Sequence, residues 1–441
     1  MKKKYVRWTL WTIASPFILF IILCILIYLP PIQNFLVDKA AVYASEATGM
    51  NISVGRISLS FPLNLVVTNV DAASPHNDTL LSVRRLQVNV QLLPLLKKQV
   101  EVDGISLQGA TVNSNDLIHG MKLNGTLGEL FISSHGVALD PETAIVNKVL
   151  LKDTDLSLCL NDTAAADTAA SDTTYWKIIL QDIDLQNVSF ALDMPLDSLS
   201  LAASLDNAIL RDGLIDLHKS AYSLQTFRIE NGRVRYDNGK PLAADSLSSG
   251  LDPSHIALTD IGVKLDSLYY GGRNMKAIIS QFVLKERSGV EIVSATGRMV
   301  SNDKVLRVPS LKLETRDSYL ELNAAMDWNA LDFKGEGLMS ARLMADIGKP
   351  DVVRFMGRMD EKFVRQYPSE PLRIRTGIDG DLNKLKLTTL TAELPGALGL
   401  FARGELTHLT DSLLRGGDIT LEAETKDLKF VSTLAEGIEI P

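Results

Sequence analysis

The sequence predicts a mainly β protein: an N-terminal transmembrane helix, then antiparallel sheet, with a few short helices. Three observations predict it. Apolar and polar residues alternate over most of the chain beyond Asn51, a short strand-kink-strand pattern recurs, and one early run of 22 residues carries no charge. At 441 residues the chain is long enough for two or three domains or one elongated repeat array. With 46% hydrophobic and 22% charged residues, its composition is that of folded protein with much apolar surface to bury.

The uncharged run extends from Trp8 to Leu29 and ends at Pro30 and Pro31. At about 1.5 Å per residue it crosses a hydrocarbon core of about 30 Å. Lys2, Lys3, Lys4 and Arg7 precede it, which places the N-terminus in the cytoplasm and the bulk of the chain outside. Trp8, Trp11 and Tyr28 stand at interfacial depth, and Phe17 and Leu23 in the apolar middle. Val42 and Ala44 imitate the small residues of a cleavage site, but about fourteen residues past the apolar run, too far for a signal peptidase cut. An uncleaved signal-anchor over 1–30 is the expectation. Ile32, Phe35, Leu36, Ala40, Tyr43 and Ala47 then recur at helical spacing before Gly49, so 31–49 reads as an amphipathic linker helix.

Beyond it the period is two. Ile52 and Val54, then Ile57, Leu59 and Phe61, then Val83, Leu86, Val88, Val90 and Leu92 mark the first strands. Gly55 with Arg56 shifts the phase as a β-bulge would. Leu372, Ile374, Thr376 and Ile378, and later Ile419, Leu421 and Ala423, alternate with Arg373, Arg375, Glu422 and Glu424. Such strands have one apolar and one wet face, the antiparallel habit.

The recurring pattern is two alternating apolar residues, a small or turn-forming residue, then apolar residues resuming three positions on. It fits Ile105, Leu107, Gly109, Val112; Val149, Leu151, Asp153, Leu156; and Ile183, Leu185, Asn187, Phe190. It fits again at Ala208, Leu210, Asp212, Ile215 and at Phe227, Ile229, Asn231, Val234. Each copy reads as a strand, a tight kink and a continuing strand. Asn161 to Thr174 is Ala, Asp and Thr with no long apolar side chain and reads as a disordered loop. Between 339 and 368, Leu343, Met344, Ile347, Val352, Phe355, Met356, Met359 and Phe363 recur at helical spacing, which predicts a short helical insertion broken at Gly348 and Pro350. So many one-sided strands need a home for their apolar face. Either the sheet closes on itself as sandwich or barrel, or it forms a trough whose inside meets an apolar ligand.

The charge excludes one class of partner. Beyond the anchor, 41 basic residues stand against 53 acidic ones, a net charge of −12 that does not suit nucleic acid. Cys24 lies in the apolar run and Cys159 stands alone, so the outer part builds no intrachain disulfide. His76, His119, His135, His218, His255 and His408 are scattered without metal-ligand spacing. Asp153 with Asp155, and Asp182 with Asp184, share strand faces, where a solvated face is the simpler reading than an acid-base pair. Gly335, Gly337 and Ala341 lack the βαβ context of a dinucleotide fingerprint, and neither a nucleophile elbow nor a phosphate loop is present. No enzyme, cofactor or metal is expected.

The order anchor helix, short helix, Thr48-Gly49-Met50-Asn51-Ile52, Val54-Gly55-Arg56-Ile57, Phe61-Pro62-Leu63 and Val67-Thr68-Asn69-Val70 resembles the AsmA-like family. Leu92-Leu93-Pro94-Leu95-Leu96, Val102-Asp103-Gly104-Ile105 and Leu107-Gln108-Gly109 add to the resemblance, which is greatest toward the TamB-type branch. It covers about residues 1 to 130 closely and the repeats beyond diffusely. The resemblance implies an elongated, curved, taco-like β groove with a greasy interior, anchored in the inner membrane, spanning the periplasm and moving phospholipids toward the outer membrane. It also implies partnership with an Omp85-type outer-membrane barrel and a role in outer-membrane protein assembly. The family's barrel-facing C-terminal domain has no counterpart before Ile440 and Pro441, so a continuation in a longer protein, or a short relative, is expected.

The expected organisation is therefore 1–30 anchor, 31–49 linker helix, 50–160 N-terminal β region, 161–174 loop, 175–338 groove repeats, 339–368 helical insertion and 369–441 further groove. Ile105, Leu107, Val149, Leu151, Ile183, Leu185, Phe227 and Ile229 are the candidate groove lining. At about 4.8 Å per strand, roughly 20 to 25 strands would extend on the order of 100 to 120 Å. A scaffold that binds outer-membrane protein strands by β-augmentation is the alternative.

Overall fold

The computed structural model describes residues 48–430 apart from 61–63, 75–77, 92–101, 115–119, 139–141, 162–174, 241–249, 332–336, 357–360 and 428–429, together with 39, 41–43 and 45–46. The anchor residues Trp8, Trp11, Phe17, Leu23 and Tyr28, and nearly all of the loop expected at 161–174, lie outside the described residues. No described helix is long and apolar enough to cross a membrane. The end of the linker helix is present: Lys39, residues 41–43, Ser45, Glu46 and Thr48 are helical. Gly49 stops it at φ +70°, donating its N–H to the Ser45 carbonyl at 2.9 Å, the left-handed ending that glycine favours.

The fold is one 20-stranded antiparallel sheet, within which two compact units are distinguished: 1–171 with 186–193, and 172–185 with 194–441. In the first, β1 (Asn51–Ser60), β2 (Asn64–Ala73), β3 (Thr79–Val90), β4 (Val102–Asn113), β5 (Met121–Ala138) and β6 (Thr143–Leu160) form a meander, each strand paired with the next. β7 spans Lys177–Met194. In the second unit, β8 (Leu199–Asp216), β9 (Ala221–Leu224), β10 (Thr226–Asp237), β11 (His255–Gly271), β12 (Asn274–Glu286), β13 (Glu291–Ser301) and β14 (Val305–Thr315) are followed by six more. These are β15 (Tyr319–Asp327), β16 (Met339–Ile347), β17 (Leu372–Gly380), β18 (Lys384–Leu394), β19 (Leu398–Thr407) and β20 (Gly416–Thr425). β9 and β10 are one strand interrupted at Gln225, because both lie between β8 and β11 in a single register.

The kinks fall where the sequence puts them. Gly109, Asp153, Asn187, Asp212 and Asn231 all adopt positive φ, between +49° and +60°, and Asn69 and Asp260 do the same at +51° and +52°. Only glycine, asparagine and aspartate enter this region at small cost. The residues across the ladder are shaped to match. Asn69 faces Gly55, where an added Cβ would come within 3.0 Å of the Asn69 Cβ, and Asp153 faces Gly128, where the contact would be 2.8 Å. The bulge expected at Gly55-Arg56 is absent: β1 and β2 keep one register on both sides of that point. Both strands turn over together instead, so Val54 with Val70 and Ile57 with Val67 share a face.

The helical insertion begins later than the spacing predicts. Residues 339–347 form β16, and the helices are α1 (Lys349–Met356) and α2 (Glu361–Gln366). Leu343 pairs across with Leu322 and Thr376, while Met344 points to the other face, 38% exposed. Period two therefore wins there, because two flanking strands satisfy the backbone of 339–347 as a helix could not.

Fully buried apolar side chains are few. Among the described residues fifteen are buried, and eight of them are alanine. A compact apolar cluster, Tyr367, Leu394, Ala397 and Phe430 with Val352, Phe363, Leu372 and Leu398 around it, sits where α1 and α2 meet the ends of β17–β19. The Asp351 carboxylate fixes α1: it accepts from the hydroxyls of Thr315 and Ser318 and pairs with Arg354 at 3.1 Å.

Candidate functional site: the apolar face of the sheet

Residues opposite one another in an antiparallel pair point to the same face, so the register alone shows what each face carries. In the first unit one row across six strands reads Ile57, Val67, Leu86, Leu107, Leu130, Leu151. The next reads Leu59, Leu65, Val88, Ile105, Ile132, Val149. Beyond the kink the rows Val54, Val70, Val83, Ala110, Leu127, Thr154 and Ile52, Ala72, Leu81, Val112, Gly125, Leu156 continue the same face. The opposite face carries Arg56, Thr68, Arg85, Gln108, Glu129 and Lys152. The αL residue is what keeps this order. Asn69, Gly109 and Asp153 supply it in β2, β4 and β6, against Gly55, Arg84 and Gly128 of the strands between, and the four apolar rows stay in line although the residue parity changes.

The second unit repeats the arrangement over twelve strands: Leu210, Phe227, Leu265, Ile279, Gly297, Leu311, Leu322, Leu343, Thr376, Leu390, Ala402 and Leu421 form one row. Beside it run Ala295, Leu313, Leu320, Ala345, Ile374, Ala392, Leu400 and Ala423. Most of these side chains are half-buried by their neighbours in the sheet, and Leu81 and Ile105 are 37% and 36% exposed. A sandwich core would bury such residues completely.

Ile105, Leu107, Val149, Leu151 and Phe227 stand on these rows. Leu107 and Leu151 share one row, with Leu130 between them, and Ile105 and Val149 share the next, with Ile132 between. Phe227 lies between Leu210 and Leu265, and Ile229 between Ala208 and Val263. Ile183 and Leu185 are half-buried on β7. Intervening residues such as Leu130, Ile132, Leu311 and Leu322 were not singled out by sequence; their alternation marks them as apolar-faced, but only strand pairing says which residues they adjoin.

The polar face is tied by side chains. Arg211 pairs with Asp184 at 2.8 Å and with Asp182, and bonds the Ile183 and Leu210 carbonyls at 3.1 Å. Arg375 repeats the device, 2.7 Å from Asp346 and bonded to the Ala345 and Ile374 carbonyls at 2.8 and 2.9 Å. Asn187 donates to Asp153 and Ser189 to Asp155, both at 2.8 Å. Both aspartate pairs therefore have cross-strand partners, and neither is a free acid beside a free base. His255, 6% exposed, bonds Asp252 at 2.8 Å. That bond, more than any other influence, holds its imidazole above the usual range and the Asp252 carboxyl below its own. No group of three metal-ligating side chains gathers among the described residues.

No family model matches the chain, and no curated protein matches it.

Proposed function

We propose that this protein is a lipid conduit of the AsmA-like, TamB type, anchored in the inner membrane and working in the periplasm. In this reading the sheet curls into a trough. Acyl chains of phospholipids lie along the apolar rows, head groups stay in water, and lipid passes toward the outer membrane in support of outer-membrane protein assembly. The observation that carries the reading is the continuity of the rows, six strands long in one unit and twelve in the other, over a face that the described residues leave half-buried. Each methylene moved from water to such a face gains about 0.8 kcal/mol. Successive strands about 4.8 Å apart offer nearly equal surroundings, so no position traps the lipid. Such movement requires no catalytic residue and no cofactor. The resemblance of residues 1–130 to the family supports the inner-membrane placement and the lipid cargo.

Photo-crosslinking residues at Leu107, Leu185 and Ile229, compared with Gln108 and Arg228 on the polar face, test this in cells. Phospholipid adducts at the first three alone are expected. Equal labelling of both faces, or no lipid on either, would count against the conduit.

A further inference from the structure

The polar face of the second unit is not level. Across β13–β16 the row Val300, Arg307, Ala325, Ser340 runs beside Arg298 on β13 and the opposed pair Asn323 and Arg342 on β15 and β16. Pro309 stands where the β14–β15 ladder shifts register between Val308 and Leu311. Having no N–H to give, proline sits in a sheet at such breaks. With side chains as short as those of Ala325 and Ser340 next to the break, the surface sinks into an open depression of about 220 Å³. Arg307, Asn323, Ser340 and Arg342 line it, with Pro309 and three alanines between them.

Two guanidiniums, an amide and a hydroxyl thus share one space, and no carboxylate lines it. Among the described residues Arg307, the Asn323 amide and the Ser340 hydroxyl have no hydrogen-bond partner. Arg342 has one contact, 3.9 Å from Asp379, with its own side chain 73% exposed, and a surface pair that long contributes little. Acids border the depression on one side: Asp379, opposite Ser340, and Asp327, whose carboxylate already accepts the Leu338 N–H at 3.2 Å. Elsewhere around it stand Lys276, in the row of Arg307, with Arg298 and Lys312, and none of these three forms an ion pair among the described residues. Glu321, opposite Lys312, accepts from the Tyr319 hydroxyl at 2.9 Å instead.

We propose that this depression between β14 and β16 binds a phosphate group, carried by a soluble phosphate ester or by a lipid head group. The guanidinium forks of Arg307 and Arg342 offer paired donors that match phosphate oxygens. Asn323 and Ser340 add neutral donors, and the alanines leave room for a small organic substituent. Lys276, Arg298 and Lys312 raise the local potential and steer an anion inward. The site lies on the face opposite the apolar rows, so it asks nothing of the acyl-chain reading.

The test is calorimetric titration of the full chain in uncharged detergent. The probes are glycerol 3-phosphate, a monoester, and glycerophosphoglycerol, the diester head group of phosphatidylglycerol without acyl chains, each beside acetate. At least one ester should bind roughly tenfold or more tightly than acetate, the monoester leading for a soluble ligand and the diester for a lipid head group. The double variant Arg307→Gln, Arg342→Gln changes exposed side chains only and should weaken that ester by roughly tenfold or more. Arg307→Lys, which keeps the charge and loses the fork, should weaken it less, and Lys152→Gln, on the polar face of the first unit, should leave it unchanged. Binding no tighter than that of acetate, binding undiminished in the double variant, or an equal loss in Lys152→Gln would each overturn the proposal. None of these outcomes bears on lipid uptake by the apolar face, because no probe carries an acyl chain.

Discussion

In the strands that carry one, a single left-handed residue decides which side chains face which way. Asn187 and Asn231 at φ +51° and +54° hold a conformation that costs an ordinary L-residue about 1–2 kcal/mol, and β-branched residues more. Asn231→Val should therefore lower stability by about 2 kcal/mol, whereas Asn231→Gly, which keeps the backbone but loses the bond to Asp206, should cost less than half of that. Urea midpoints compare the two, and equal losses would mean the side-chain bond matters and the backbone angle does not. His255 supplies a second residue-scale prediction. Its raised pKa stabilises the fold below the unfolded value of about 6.5, and the gain is lost as pH rises through the folded value. Asp252, lowered, contributes above about pH 4 and loses its contribution on acidification. Protection of the Ile256 and Ala257 amides from hydrogen exchange should thus peak between about pH 4 and 6.5, and His255→Gln should flatten the profile.

Among elements, the strands were legible and one helix boundary was not. Five kink positions could be read from apolar residues resuming three places after Gly, Asn or Asp, because that spacing has few physical causes in a strand. Asn69 and Asp260 obey the same rule but sit in less regular apolar surroundings. Residues 339–347 carry both periods at once, and neighbours distant in sequence, Leu322 and Thr376, decide between them. The helix α1 likewise depends on a group no periodicity reveals. Asp351, 1% exposed, holds it to the β14–β15 turn through Thr315 and Ser318 and to its own Arg354. Asp351→Ala takes away the acceptor shared by the Thr315 and Ser318 hydroxyls and leaves Arg354 with Asp317 alone, and should cost about 2–4 kcal/mol, while Asp351→Asn should recover part of that. Loss of amide protection confined to α1 and the β14–β15 turn is the expected signature.

At the scale of the whole molecule, the physical question is what an apolar face of this extent is for. Sequence could state that the face exists, from alternation, but not whether it was sealed, since a sandwich and an open sheet share the same alternation. Apolar residues stand in two settings: rows such as Leu311, Leu322, Leu343 are half-buried, whereas the packed cluster around Phe430 is 2% exposed at its centre. That difference predicts two kinds of response. Phe430→Ala empties a filled site and should destabilise by about 3–5 kcal/mol, while Leu322→Ala, at a half-buried position, should cost about 2 kcal/mol or less. An apolar ligand should invert the ranking of what matters. On the proposed conduit reading, a single-chain phospholipid added below its micelle concentration should bind the folded face alone, and at a hundredfold excess over its dissociation constant it should raise stability by about 2.7 kcal/mol. Hydrogen exchange should record that gain in strands of both units. The double variant Leu322→Asp, Leu343→Asp should abolish it in the second unit and leave it in the first, because each unit presents its own rows; a gain that survives the variant in both would place the lipid elsewhere.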